Sequence, residues 1–327
     1  MGAQFSKPKI TLQFADLDPC YPMKEQKEFF IKILSRNFDV VVIDENSNEE
    51  PEILIYSWWG SNNYKWQDCI RIYYTIEMDY PDFNLCDYAI GLSEVKLEDR
   101  FFHLPVYVIY DNLLKKYENK EPIKLEKEFF YRKFCSTLIS NGNFRDSIYY
   151  ELLDFLNNYK KVYSGGKFNN NIGEIIDNKI KFLNQFKFNL AIENSNFEGY
   201  NTEKLIEAFI ADTIPIYWGA KSIEKEFGSS GYINVSNFKN IKEAVNYIIE
   251  VNENCEKYLD ILNNKPILNL NLEDWENKLS DFLVNAIKKG KRTNYKLMMS
   301  KMYYERLTFI RLRDSYLGRI YRKFKSK

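Results

Sequence analysis

The stretch Glu193–Gly219, ENSNFEGYNTEKLIEAFIADTIPIYWG, decides the fold. It follows an alternating apolar run, Phe186–Ile192, that reads as a β-strand. A polar loop containing Gly199 comes next. Thr202 has the side chain of a helix N-cap, and Leu205, Ile206, Ala208 and Phe209 then recur at helical spacing. Asp212 and Thr213 end the helix, and Ile214–Trp218 reads as a second strand. Strand, polar loop, helix, strand is the layout with which α/β proteins hold phosphate-bearing ligands at the carboxyl ends of strands. Glu203 and Lys204 fall in the helix's first turn, where free backbone N–H groups and the positive end of the dipole favour an anion. A lysine beside a carboxylate suits a phosphate next to a sugar hydroxyl. An ordinary βαβ crossover has the same layout, and a lysine at a helix start is common. On its own the stretch leaves both readings open.

Outward from it, the same alternation continues. Upstream, Phe129–Ile139 reads as helix or strand and runs into SNGNFR, ending at Arg145. Asp146–Tyr159 is an amphipathic helix, Val162–Lys167 (VYSGGK) a strand entering a glycine turn, and Ile172–Phe182 a helix. Downstream, Phe227–Ile233 leads to a short strand, and Ile241–Leu262 and Leu272–Ala286 read as helices. The amino-terminal half offers strands at Lys9–Phe14, Phe38–Ile43, Ile53–Tyr56, Ile70–Ile76, Cys86–Gly91 and Val106–Tyr110, with a helix at Met23–Leu34. Such alternation indicates largely parallel sheets. Asn112–Glu128 is charged, contains Pro122, and reads as a linker. A chain of 327 residues is long for one core. The expected fold is therefore α/β in two Rossmann-like halves, residues 1–127 and 128–287, facing each other across a cleft, with a tail over 288–327.

Charge separates the tail from the body. Lys288–Lys327 holds fourteen Lys/Arg against Glu305 and Asp314, which leaves 32 basic and 44 acidic residues elsewhere. A basic tail on an acidic body argues for a separate partner. Apolar and aromatic side chains are interleaved with its cations (Met298, Met302, Leu307, Ile310, Leu317, Ile320), a pattern suited to an amphipathic helix on an anionic membrane. A helix packed on the body with a solvated basic face fits the same pattern. No window reaches eighteen consecutive apolar residues, and the amino terminus lacks a signal-peptide core, so a cytoplasmic chain is expected, peripheral on a membrane if the tail binds one. MGAQFS places Gly2 and Ser6 in the N-myristoylation pattern, with Lys7 and Lys9 behind. Nucleic acid is not an expected partner.

Five scattered cysteines without a C-x-x-C argue against a disulfide framework and against zinc knuckles. His103 is the only histidine, which excludes multi-histidine metal sites; its apolar FFHLP setting reads as structural. Asp16–Leu17–Asp18 has the outline of a D-x-D metal motif, but its Pro-Cys-Tyr-Pro sequel reads as a loop. The 25 Tyr and 24 Phe would serve stacking on sugars or bases, although a chain also rich in Asn and Lys can owe them to composition alone.

Candidate chemistry gathers at strand and loop ends. Glu77 and Asp79 close the strand Ile70–Ile76, where a carboxylate can act as a general base. Arg145, Lys204 and the pair Gly165–Gly166 supply cations and a turn where backbone can approach a ligand closely. Singly each is an ordinary surface or turn residue; together they suggest a diphosphate site.

The sequence resembles the α-1,3-fucosyltransferases of glycosyltransferase family 10. That family carries a signature close to F-E-N-x-x-x-x-G-Y-x-T-E-K, followed by an apolar helix and a P-I-Y-W-G strand. Here these are IENSNFEGYNTEK (Ile192–Lys204) and TIPIYWGA (Thr213–Ala220). A second block, RIYYTIEMDYPDFNLCDYAIGL (Arg71–Leu92), looks like the family segment that holds the catalytic carboxylate. The resemblance spans Ile53–Ile109 and Phe134–Glu250. Departures are Ile76 and Met78 around Glu77, Ala191–Ile192 before the Glu-Asn pair, and Ser140–Asn141–Gly142 ahead of the arginine. The resemblance implies a GT-B fold whose first half binds a glycan acceptor and whose second half binds GDP-fucose. It implies inverting transfer of L-fucose to a hydroxyl, O3 of GlcNAc or glucose, with Glu77 as base and Arg145 and Lys204 on the diphosphate. Asn194, Tyr200 and Glu203 would contact ribose, fucose or guanine. GDP-fucose is then the donor substrate, with no obligatory cofactor and no metal. Two readings stand beside it: a GT-B transferase using another nucleotide sugar, and a non-catalytic glycan- or membrane-binding relative.

Overall fold

A computed structural model describes residues 6–292, apart from 20, 95, 98, 122, 123, 125, 141–145 and 175. In chain order the strands and α-helices are β1 (Lys9–Ala15), α1 (Met23–Leu34), β2 (Asp39–Val42), β3 (Ile53–Tyr56), β4 (Ile70–Tyr74), β5 (Tyr88–Gly91), β6 (Phe101–His103), α2 (Val106–Ile109) and α3 (Leu113–Glu118). There follow β7 (Lys133–Thr137), α4 (Ser147–Tyr159), β8 (Val162–Ser164), α5 (Lys179–Leu183), β9 (Phe186–Ile192), α6 (Lys204–Ile210) and β10 (Ile214–Trp218). The chain ends its described part with α7 (Ile223–Phe227), β11 (Ile233–Asn234), α8 (Ile241–Glu253), α9 (Cys255–Asn263) and α10 (Leu272–Lys289). Among the described residues the chain packs as two units, one taking in residues 6–91, 96–102 and 278–292, the other Leu92–Glu94 and His103–Asn277.

The first unit is a six-stranded sheet in the order β2-β1-β3-β4-β5-β6, parallel from β2 through β5. β3, β5 and all of β4 past Ile70 are buried, which is why ILIY and YAIG are unbroken apolar runs and not alternating ones. Arg71 in β4 is the polar exception. Its fully buried guanidinium donates to the Leu85 carbonyl at 2.8 Å and the Asn63 Oδ1 at 3.1 Å, and lies 4.4 Å from the Tyr56 ring centroid. It ties the loops after β3 and before β5 to the sheet, an arrangement that burial of an unpartnered charge would forbid.

The second unit is a parallel five-stranded sheet ordered β11-β10-β9-β7-β8. All seven residues of β9 are buried at its centre. α4 and α8 lay their apolar stripes (Tyr149, Leu152, Leu156; Ala244, Val245, Ile248, Val251) into one core with Phe188, Leu190, Ile214 and Ile216. Asp146, Asn178, Asn240 and Asn254 cap the helices that follow them, each accepting a backbone N–H.

Four expectations are different in the structure; the first is that Asn112–Glu128, expected as a linker, carries α3 with Leu113 and Leu114 buried inside the second unit. Val106–Tyr110 is the helix α2, not a strand: its valines alternate, but Pro105 sits at its N-cap, where a missing N–H costs nothing. The sixth strand of the sheet is the preceding Phe101–His103. Ile172–Phe182 is helical only from Lys179, where Asn178 caps it. Ile241–Leu262 is two helices, because Asn254 leaves helical dihedrals (φ −108°, ψ 108°) and caps the second.

Candidate functional site

In the second sheet the order of strands reverses between β7 and β9, and α/β sheets bind ligands outside the carboxyl ends of strands at such a point. β9 ends there and delivers Glu193 and Asn194. Glu193 keeps the sheet's hydrogen bonding through its N–H to the Trp218 carbonyl at 2.8 Å, while its side chain is buried. Its carboxylate accepts the Thr202 N–H at 2.9 Å and the Thr202 hydroxyl at 2.8 Å. It also accepts the Lys204 ammonium at 2.6 Å, and Lys204 Nζ donates to the Thr202 Oγ1 at 2.7 Å. Burial would push Lys204 down, but Glu193 and Glu203 outweigh it and hold the ammonium above its ordinary range.

This corrects the expected N-cap. α6 begins at Lys204 with Glu203 preceding it, no side chain caps it, and the Thr202 hydroxyl serves Glu193 instead. With seven residues, α6 contributes little dipole of its own, and the charge at this place is that of side chains.

Glu203 precedes the lysine in the chain, and Asn194 follows Glu193. Each has a buried acceptor oxygen, Glu203 Oε2 and Asn194 Oδ1, with no hydrogen bond. For Glu203, burial works to raise the carboxyl, but Lys204 and Lys179 prevail and lower it, so it is ionised. One turn on, Glu207 pairs with Lys179 at 3.0 Å; here burial wins and pushes the carboxyl up to about 7. Tyr200 is buried, with its N–H on the Phe197 carbonyl at 3.0 Å.

The loop carrying these groups is held from beneath. Gly199 has φ +86°, and a Cβ on it would lie 2.1 Å from the Leu92 carbonyl oxygen, so no other residue fits. Glu226 in α7 accepts the Asn201 side-chain amide at 2.6 Å and the Tyr107 hydroxyl at 2.5 Å, with His103 Nε2 at 3.3 Å. His103 is thus a structural partner of the loop's anchor. The pair Gly165–Gly166 is structural as well. A Cβ on Gly166 would fall 2.0 Å from the Ile139 carbonyl oxygen, so the close approach it permits is to the chain after β7 and not to a ligand. Arg145 lies outside the described residues.

In the first unit, Glu77 lies in the turn after β4. Its N–H donates to the Thr75 Oγ1 at 3.1 Å, and its carbonyl accepts the Asp79 N–H at 2.9 Å. Asp79 in turn accepts the Tyr73 hydroxyl. A cavity of about 130 Å³ at the carboxyl ends of β3 and β4 is lined by Trp58, Tyr64, Tyr73, Asp79 and Tyr80; Glu77 is not in its lining. Asp16 is occupied by Asn63, whose N–H and amide reach it at 2.7 and 2.8 Å, in keeping with a loop. Among the described residues no cluster of three His, Cys, Asp or Glu side chains is placed to hold a metal. A cavity of about 420 Å³ in the second unit is lined by Tyr117, Lys120, Leu262 and Lys265. Both lysines bind Asp212, just before β10, so this cavity belongs to the amino end of that strand, away from Lys204.

Sequence reasoning missed Glu193, Thr202 in its actual role, Glu207 with Lys179, and the Glu226 anchor. The signal for the first pair was the Glu-x₈-Thr-x-Lys spacing within the quoted stretch.

Two parallel-sheet α/β domains, the second with a lysine–carboxylate cluster at its switch point, define a two-domain protein of the GT-B type. Residues 12–110 match the alpha-(1,3)-fucosyltransferase FucT N-terminal domain and residues 126–304 the carboxyl-terminal domain of glycosyltransferase family 10 (fucosyltransferase). The chain belongs to that family. It is similar to the alpha-(1,3)-fucosyltransferase FucT of Helicobacter pylori, 33% identical over 301 residues, covering 81% of this chain and 62% of that protein. It thus spans somewhat under two thirds of that relative's length. A crystal structure of an α1,3-fucosyltransferase with GDP-fucose is 30% identical, covers 90% of this chain and 95% of its own, and superposes with a TM-score of 0.72. HepE of Anabaena, in complex with UDP-glucose, shares the fold at 10% identity, with a TM-score of 0.51 over 84% of this chain and 100% of its own. Among the described residues no helix is long and apolar enough to cross a membrane.

Proposed function

We propose that the chain transfers L-fucose from GDP-fucose to a hydroxyl of a GlcNAc- or glucose-containing glycan, with inversion at the anomeric carbon. The observation that carries this reading is the Lys204 cluster at the switch point of a family 10 domain, where Glu193 holds the ammonium at 2.6 Å and the same loop carries two buried acceptors without hydrogen bonds. A diphosphate takes the cation; sugar or base donors take Asn194 Oδ1 and Glu203 Oε2. Tyr200 completes that wall, and Arg145 supplies the second cation. Two cations can stabilise a diphosphate leaving group without a metal.

Residues 1–127 then serve the acceptor and 128–287 the donor. Glu77 takes the proton of the acceptor hydroxyl as that oxygen bonds to the anomeric carbon. The bond from that carbon to the β-phosphate oxygen breaks, and its electron pair leaves with GDP, turning a β-linked donor into an α-linked product. The small cavity lined by Asp79, two residues past Glu77 in the same turn, has aromatic walls and a carboxylate and suits a sugar ring, whose C–H faces stack on aromatics while hydroxyls donate to Asp79.

Incubation of purified protein with GDP-fucose and N-acetyllactosamine-type acceptors should release GDP only when acceptor is present. Turnover confined to another nucleotide sugar would replace the donor assignment, and none with any donor would favour a non-catalytic relative. For the basic segment 288–327 and Gly2 the proposal is contact with an anionic membrane, in a cytoplasmic setting; cosedimentation with phosphatidylserine vesicles, lost on truncation after Lys289, tests it.

A further inference from the structure

Resting on the reading of Lys204 as a diphosphate ligand, we propose that Glu193 and the Thr202 hydroxyl are positioning residues: together they clamp the Lys204 ammonium so that one N–H is left to point at the phosphates. An ammonium has three N–H donors. One goes to Glu193 Oε2 at 2.6 Å and one to Thr202 Oγ1 at 2.7 Å. The threonine accepts from lysine through an oxygen lone pair while its own hydrogen goes to Glu193, at 2.8 Å. Lysine thus donates to both partners and threonine passes its own hydrogen to the carboxylate, which leaves one ammonium donor over. The lysine side chain is 17% exposed and Glu193 1%, so the outward donor is the one route by which this cation meets a ligand.

The clamp is built into the fold. Glu193 continues β9 and is buried behind the lysine; its partner Thr202 also gives it a backbone N–H, so the loop cannot shift without breaking both bonds. Gly219 makes the room: a Cβ there would stand 2.8 Å from Glu193 Cγ. A flexible lysine loses rotamer freedom when it grips a ligand. Here that loss is incurred on folding, so binding gains accordingly. The other charges nearby are Glu203, just before α6, Glu207 on α6 and Lys179 on α5; both carboxylates feel the Lys204 charge, and Glu203 adjoins Lys204 with no partner for its Oε2.

The test is isothermal titration of GDP into wild type, Lys204→Ala, Thr202→Val, Thr202→Ser and Glu193→Gln, with thermal melts to establish that each is folded. Valine keeps the shape of threonine and removes the hydroxyl; serine restores the hydroxyl. Losing one charge-assisted positioning bond should weaken GDP about tenfold or more in Thr202→Val and Glu193→Gln, while Thr202→Ser stays within about threefold of wild type. If Lys204→Ala leaves GDP affinity unchanged, the diphosphate reading itself is lost. If Lys204→Ala weakens GDP but Thr202→Val and Glu193→Gln match wild type, the reading stands and the clamp is overturned. A loss in Thr202→Val that serine does not restore also overturns it. Should Glu193→Gln fail to fold, the valine–serine pair alone decides.

Discussion

Lys204 is held by a carboxylate it cannot leave cheaply, with Glu193 buried behind it and Thr202 bridging the two. Lys204→Ala should therefore weaken GDP by roughly 10- to 100-fold, the worth of a charge-assisted hydrogen bond, read by calorimetry. If Glu77 is the base of the proposed function, Glu77→Gln should abolish transfer and leave GDP affinity within about twofold, since a group that meets only the acceptor lowers kcat and not nucleotide binding; a variant with full activity would remove Glu77 from that role. At this scale the motif itself was legible. Asn194, Tyr200, Glu203 and Lys204 stand in one short stretch, and a lysine beside carboxylates has few uses. What the sequence could not show is the direction of each bond. Thr202 has the residue type of a cap, and only the return of the loop onto the end of β9 gives its hydroxyl to Glu193.

At the scale of elements, α6 carries a stability effect that depends on pH. Glu207 is raised from its usual 4.5 to about 7 because burial outweighs Lys179. Its folded form holds a proton that the unfolded chain has already lost over that window. The contribution is fully present below pH 4.5 and is lost as pH rises through about 7. Glu207→Gln should flatten the slope of stability between those pH values, measured by urea unfolding at several pH values; an unchanged slope would assign the titration elsewhere. Gly199→Ala should cost about 2 kcal/mol or more in the same assay, because its φ is positive and a carbonyl oxygen occupies the Cβ position. Most elements were legible because buried parallel strands are short apolar runs. Val106–Tyr110 was not, since alternating valines carry no mark of the proline that starts a helix before them, and Asn254 breaks a continuous apolar stripe without changing its period.

At the scale of the whole molecule, the account assigns the donor to the unit built on β7–β11 and the base to the unit built on β1–β6. A ligand that binds only the folded state raises stability by RT ln(1 + [L]/Kd), about 2.7 kcal/mol at a hundredfold excess over Kd. GDP should thus raise the melting temperature of wild type and of Glu77→Gln alike, and that of Lys204→Ala much less at the same concentration. The two-domain α/β class was legible from strand–helix alternation and length; the family was legible from two motif blocks, and the model matches over residues 12–110 and 126–304 cover both. Acceptor choice was not: under the proposed function it would rest on cavity shape in the first unit, where the aromatic side chains of Trp58, Tyr64, Tyr73 and Tyr80 meet. The central claim is fucosyl transfer, and the most direct measurement is proton NMR of the reaction of purified protein with GDP-fucose and N-acetyllactosamine. The account predicts one new α-fucosyl anomeric signal, growing in step with GDP and absent with Glu77→Gln; a β-linked product, or no fucosylated product while another nucleotide sugar is consumed, would contradict it.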